Sequence, residues 1–257
     1  MSGRILVVSP NNWLARYQAG ERAAVWHELR QLGSAVRSDA AISNEAQAVC
    51  DEMARRARAN VETIVERLRL QGYRFHTNVD TSTATAAWIP PNDDRVRQAI
   101  DWLESHFDGI PMTLRSWLTI VGDVWLVGTH PRWPGSASAD PMVIEAEASR
   151  YPLSSVVDYY AEELDAWEFD SADSAEVSPF VLPLAPDRLH KANVSGGPPY
   201  GLMLPDATAE GTFVAEAPMP FVGYLNWAFQ HGGFPGPVTD ESGWRIRREL
   251  AQDLLAL

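Results

Sequence analysis

SNEAQAVCDEMARRARANVETIVERLRLQG, residues 43–72, sets how the rest of this chain is read. Ala46, Val49, Cys50, Met53, Ala57, Val61, Ile64, Val65 and Leu68 recur at three- and four-residue spacings. That is the period of an α-helix laying one apolar stripe on a core. Ser43 or Asn44 is placed to cap its start, and Gly72 to end it. Glu52, Arg55, Arg56, Arg58, Glu62, Glu66, Arg67 and Arg69 fill the other face. Acids interleaved with bases in this way mark a solvated face, not a nucleic-acid contact.

Upstream, Asn11 or Asn12 caps a second helical pattern carrying Trp13, Leu14, Tyr17, Val25, Trp26 and Leu29, which stops near Gly33; Gly20 is a break point within it. Helices over 11–32 and 44–71, joined by a short polar turn, predict an antiparallel hairpin. Downstream, the Thr-rich residues 77–87 read as a loop or linker. Asp93 or Asp94 then caps a helix with Val96, Ile100, Trp102, Leu103 and Phe107, and a shorter helix runs from Met112 to Val121. Strands are expected at 124–127, 142–144, 180–184, 200–204 and 212–215. Residues 155–167 fit a helix or, through their Val-Val-Asp-Tyr-Tyr run, a strand. Helices over 220–231 and 241–255 close the chain. Helices and strands come in runs without strict alternation, so the fold class is α+β. The expected organisation is a helical hairpin over residues 1–76, followed by a mixed domain over 93–257. In that domain a mainly antiparallel sheet is flanked by helices, and the two parts pack as one compact unit.

The composition supports a sizeable core: 46% of the 257 residues are hydrophobic and ten are Trp. Cys50 is the single cysteine, which rules out an intramolecular disulfide and points to a reducing compartment. The run Ile5-Leu6-Val7-Val8 is too short for a signal-peptide core, and no stretch approaches the length of a membrane span. A cytoplasmic protein is the expectation. The net charge is −13, divided as +3 over residues 1–74 and −16 over the remainder. Such a field disfavours nucleic acid and anionic membranes and is compatible with a protein partner, a basic one among them.

No nucleotide-binding, zinc-protease, serine-hydrolase or CxxC motif is present, and no cofactor is expected. Three places hold candidate chemistry. His190, Lys191 (the only lysine) and Tyr200 gather with Asp187, Asn193 and Gly196-Gly197 beside a strand, as an anion pocket or acid–base site would. The bland reading of the same residues is a capped loop whose Asn and Gly supply positive φ. His130 with Asp140, and His190 with Asp187, are starting points for a metal site, but neither has helical ligand spacing. The stretch from Asp158 to Glu176 holds eight Asp/Glu and no base. Within it Asp158, Glu162 and Glu163 are candidate contacts for a basic partner; otherwise they form a solvated face. Cys50, inside an apolar stripe, reads as core.

Residues 110–118, a proline-started helix IPMTLRSWL, lead through Gly122 to the strand Val124-Trp125-Leu126-Val127. With the strand at Met142-Val143-Ile144 and the helix opened by Phe221-Val222-Gly223-Tyr224-Leu225, this pattern resembles the SUKH superfamily of bacterial toxin-immunity proteins and fungal cell-wall regulators. The resemblance spans at most residues 93–235 and leaves out residues 11–73. It implies a non-enzymatic α+β module that neutralises or modulates a protein partner by occlusion. The competing expectation is an enzyme with its site near His130, His190 and Lys191.

Overall fold

Ile64, on the long apolar stripe, lies beside the turn at Gly233, where a Cβ on the glycine would come within 3.6 Å of it, so the long helix reaches the C-terminal part of the chain. A computed structural model describes residues 12–147, 155–172 and 177–257; the run at Ile5–Val8 lies outside them. The stripe belongs to α3 (Ala40–Leu70), whose Ala46, Val49, Cys50, Met53, Val61, Ile64, Val65 and Leu68 are all buried. Its cap is Asp39, which accepts hydrogen bonds from the amides of Ala41 and Ile42, so the helix begins before Ser43 and Asn44. Upstream, the break at Gly20 is real. Its φ of +106°, in the region glycine tolerates, separates α1 (Trp13–Gln18) from α2 (Arg22–Leu32). The N-terminal region is therefore helical in several pieces, with a short 3₁₀ turn (Gly33–Arg37) leading into α3.

The Thr-rich segment is a pinned loop. His76 bridges to Ala84, Asp80 accepts from Ser82 and Thr83, and the Trp125 indole donates to the His76 carbonyl at 2.9 Å. Short strands flank it: β1 (Arg74–Phe75) and β2 (Trp88–Ile89). Then come α4 (Asp93–His106), capped by Asn92, and α5 (Met112–Ser116), continued by one π-helical turn (Trp117–Val121) to Gly122. The strands β3 (Asp123–Trp125), β4 (Gly128–Thr129) and β5 (Val143–Ile144) follow, with a 3₁₀ turn (Pro134–Ala139) before β5.

Past the Val-Val-Asp-Tyr-Tyr run, α6 (Val156–Ala172) is a helix. It buries Val156 and Tyr160, four residues apart on one face, and the Tyr160 hydroxyl donates to the Ala146 carbonyl. The C-terminal half contains β6 (Phe180–Ala185), α7 (Arg188–Lys191), β7 (Tyr200–Leu204), β8 (Thr212–Val214) and β9 (Pro218–Pro220). It ends with α8 (Phe221–Gln230) and α9 (Glu241–Ala251).

The fold is α+β, with three antiparallel sheets among the described residues: β1-β4, β2-β3-β5 and β6-β7-β8-β9. A hydrogen bond from the Glu145 amide to the Leu184 carbonyl joins the second to the third. The single sheet expected from sequence is thus divided, and the proline-bounded β9 forms an edge, where a missing N–H costs no ladder bond. One hydrophobic core runs from Trp13 to Leu257, with α3 packed on α5, the π turn and α9.

Candidate functional site

Asp187 organises the segment richest in candidate chemistry. Its backbone is extended, and its carboxylate caps α7 by accepting from the amides of Leu189 (2.7 Å) and His190 (3.3 Å). The second carboxylate oxygen is hydrogen-bonded to His190 Nδ1. These hydrogen bonds keep the Asp187 carboxyl below the usual carboxylate range although burial opposes them. Gly196 is needed here for space, because a Cβ on it would lie 2.3 Å from an Asp187 oxygen. The residue with positive φ is Asn193, at 57°, whereas Gly196 and Gly197 are not in that region.

The α7 helix turns Lys191 inward. Its ammonium is sealed from solvent, 2.7 Å from Asp140 Oδ1 and 4.8 Å from the centre of the Tyr200 ring. Burial pushes this ammonium below its usual range, against the pull of the facing Asp140 carboxylate. Asp140 itself takes a left-handed conformation (φ 53°, ψ 59°) at the end of the 3₁₀ turn. The Tyr200 hydroxyl accepts from the Arg188 amide at 3.3 Å, and Arg188 pairs with Glu216 at 2.9 Å. His190, Lys191 and Tyr200 are thus brought together: Lys191 and the Tyr200 hydroxyl are engaged within the fold, whereas His190 is held through Nδ1 alone and keeps 46% of its side chain exposed. An acid–base group has to reach a substrate, and Lys191 reaches none.

His130 stands in a different environment. Its Nδ1 accepts from the Arg132 amide at 3.1 Å and its Nε2 faces the Gln71 carbonyl oxygen at 3.0 Å, which fixes the neutral ring with its proton on Nε2. Asp140, weighed with it as a starting point for a metal site, pairs with Lys191. Among the described residues no three His, Cys, Asp or Glu side chains converge on a point that could hold a metal. Burial and Arg132 lower the His130 pKa from 6.5, with Glu249 opposing them. Since the unfolded chain takes up this proton first, the stability His130 contributes is complete above about pH 6.5 and is lost as pH falls towards the folded value. Denaturation of the parent and of His130→Asn from pH 7.5 to 5.5 should show a shallower decline for the variant; equal slopes would place the titration elsewhere.

The acidic candidates lie on α6. Asp158 and Glu162 are exposed and Glu163 is half-buried, its carboxyl raised by burial and by Glu162. With Asp165, Glu168 and Asp170 they give the helix six acids and no base, and none forms an ion pair with a described residue. Phe169 stands among them, 81% exposed. Trp167 anchors the opposite side by donating to the Ser178 carbonyl at 3.0 Å and meeting Phe180 edge-on. Asp173 and Glu176, at the end of the acidic stretch, lie outside the described residues.

Sequence reasoning missed a residue that lines the same groove as Asp140: Arg247, a buried guanidinium on α9. Its signal is a charge at a stripe position, since Gly243, Ile246, Arg247 and Leu250 are the buried residues of that helix. No protein-family model, curated protein or solved structure matches this chain. Among the described residues, no helix is long and apolar enough to cross a membrane.

Proposed function

We propose that this protein is a non-enzymatic binding module of the immunity or regulator type, occluding a basic protein partner through the outer face of α6. The observation that carries the reading is an acidic helix whose acids form no ion pair with the described residues, with Phe169 projecting from it. Exposed acids with no base on their own helix gain most from a partner that supplies one, and an exposed aromatic offers the apolar anchor such interfaces use. The resemblance of residues 93–235 to the SUKH superfamily points the same way. The enzyme alternative is weakened by the burial of Lys191 against Asp140, which leaves that ammonium no route to a substrate.

Affinity capture from the host, with the parent and an Asp158→Lys/Glu162→Lys/Glu168→Lys variant as baits, tests the proposal. All three positions are exposed, so the fold should be kept. A basic protein should be retained stoichiometrically by the parent, released by raised salt and lost with the variant, because exposed ion pairs are screened. Equal capture by both baits removes α6 from the interface.

A further inference from the structure

The end of α8, the loop that follows it and the start of α9 enclose a groove of about 400 Å³, a volume that suits a small molecule. Asp140 and Glu216 line it together with Trp227 from α8, His231 just past the end of that helix, and Trp244 and Arg247 from α9. The two acids arrive neutralised, Asp140 by Lys191 at 2.7 Å and Glu216 by Arg188 at 2.9 Å. Arg247 does not. Only 3% of it is exposed, yet no carboxylate among the described residues pairs with it. Its Nη1 donates to the Gly236 carbonyl at 2.9 Å, and the guanidinium carbon lies 5.1 Å from the centre of the Trp244 ring. Nε is buried without any hydrogen-bond partner, and Nη2 makes no hydrogen bond within the described residues.

A guanidinium keeps its charge and presents a fork of donors matched to a carboxylate. Burying one without an anion is costly, and a carbonyl and an indole face offset only part of that cost. The groove therefore carries one net positive charge in a chain whose overall charge is −13, beside the planar apolar surfaces of Trp227 and Trp244. We propose that this groove binds a small carboxylate with a planar apolar body, the carboxylate on Arg247 and the body against the tryptophans. None of its residues lies on α6, so this inference stands or falls apart from the binding-module reading.

The full chain is titrated with benzoate and phenylacetate, and with benzylamine as a ligand of similar shape and opposite charge, following tryptophan emission and melting temperature. Saturable quenching and a raised melting temperature are expected with both acids and neither with benzylamine. Trp244→Ala, at a half-exposed position, should keep the fold and weaken benzoate roughly fivefold, the loss of about one aromatic contact. Arg247→Met should abolish binding. If that variant does not fold, Trp244→Ala and the benzylamine control decide the matter. No saturable response to either acid up to millimolar concentration, equal binding of benzylamine, or parental affinity in Trp244→Ala overturns the proposal.

Discussion

Ile64→Asp and Val61→Asp should leave the protein unfolded or largely so at room temperature. Both side chains are fully buried on the apolar stripe of α3, in its C-terminal half, so an aspartate there carries its charge into the core. An unpaired buried charge costs upwards of about 4 kcal/mol, against a total stability of about 5–15 kcal/mol for a typical domain. The effect should extend beyond the N-terminal helices. A Cβ on Gly233, at the turn after α8, would come within 3.6 Å of Ile64 and 2.6 Å of Leu126, so the substitution strikes where α3 lies beside the C-terminal half. Ile64→Val, which removes one methylene, should cost only about 0.5–1.5 kcal/mol. Leu70→Asp, on the same helix but 80% exposed, should stay within about 0.5 kcal/mol of the parent. Urea denaturation of the four variants checks the series. Parental midpoints for both core aspartates would mean that the stripe does not face a core.

The stripe was legible because a long helix repeats its burial pattern many times, and no single residue decides it. Its start was not, because Asp39, Ser43 and Asn44 all have capping chemistry. Asp39 takes the role because the chain is extended there, with a φ of −134°. Asn92 in place of Asp93 or Asp94 repeats the case. The short strands were harder. β1, two residues long, follows directly on a helix and exists because Arg74 and Phe75 pair with Thr129 and Gly128, some fifty positions away, a partnership no local window contains. The Val-Val-Asp-Tyr-Tyr run has β propensity, yet Val156 and Tyr160 share a buried face at helical spacing, and tertiary packing settles the competition. Around the candidate site, the sequence set Asp140 beside His130 as one possible pairing and did not reveal Lys191 as its partner. His130 lies ten positions from Asp140 in the chain and Lys191 fifty-one, and it is the distant one that the fold delivers.

Removing either member of the Lys191–Asp140 pair should be the second most damaging change in the molecule. The ammonium has no exposure and the carboxylate 5%, so Lys191→Met leaves an uncompensated carboxylate and Asp140→Asn an uncompensated ammonium. Each loss should cost about 3–5 kcal/mol, most of it the burden of the charge left behind. Asparagine is the replacement at position 140 because the left-handed backbone there tolerates it. The double variant Lys191→Met/Asp140→Asn buries no charge and should recover much of the loss, giving a coupling of about 2–3 kcal/mol in a double-mutant cycle. Tyr200→Phe provides the contrast. It keeps the ring beneath the ammonium and gives up only a hydroxyl that accepts from the Arg188 amide, so about 1 kcal/mol is expected. This pattern separates the two readings of the cluster. A catalytic lysine held ready for substrate is removed with little effect on the unliganded fold, whereas a lysine that neutralises a buried aspartate cannot be. If Lys191→Met proved as stable as the parent, the ammonium would be free to act on a ligand, and the enzyme would return as the stronger reading.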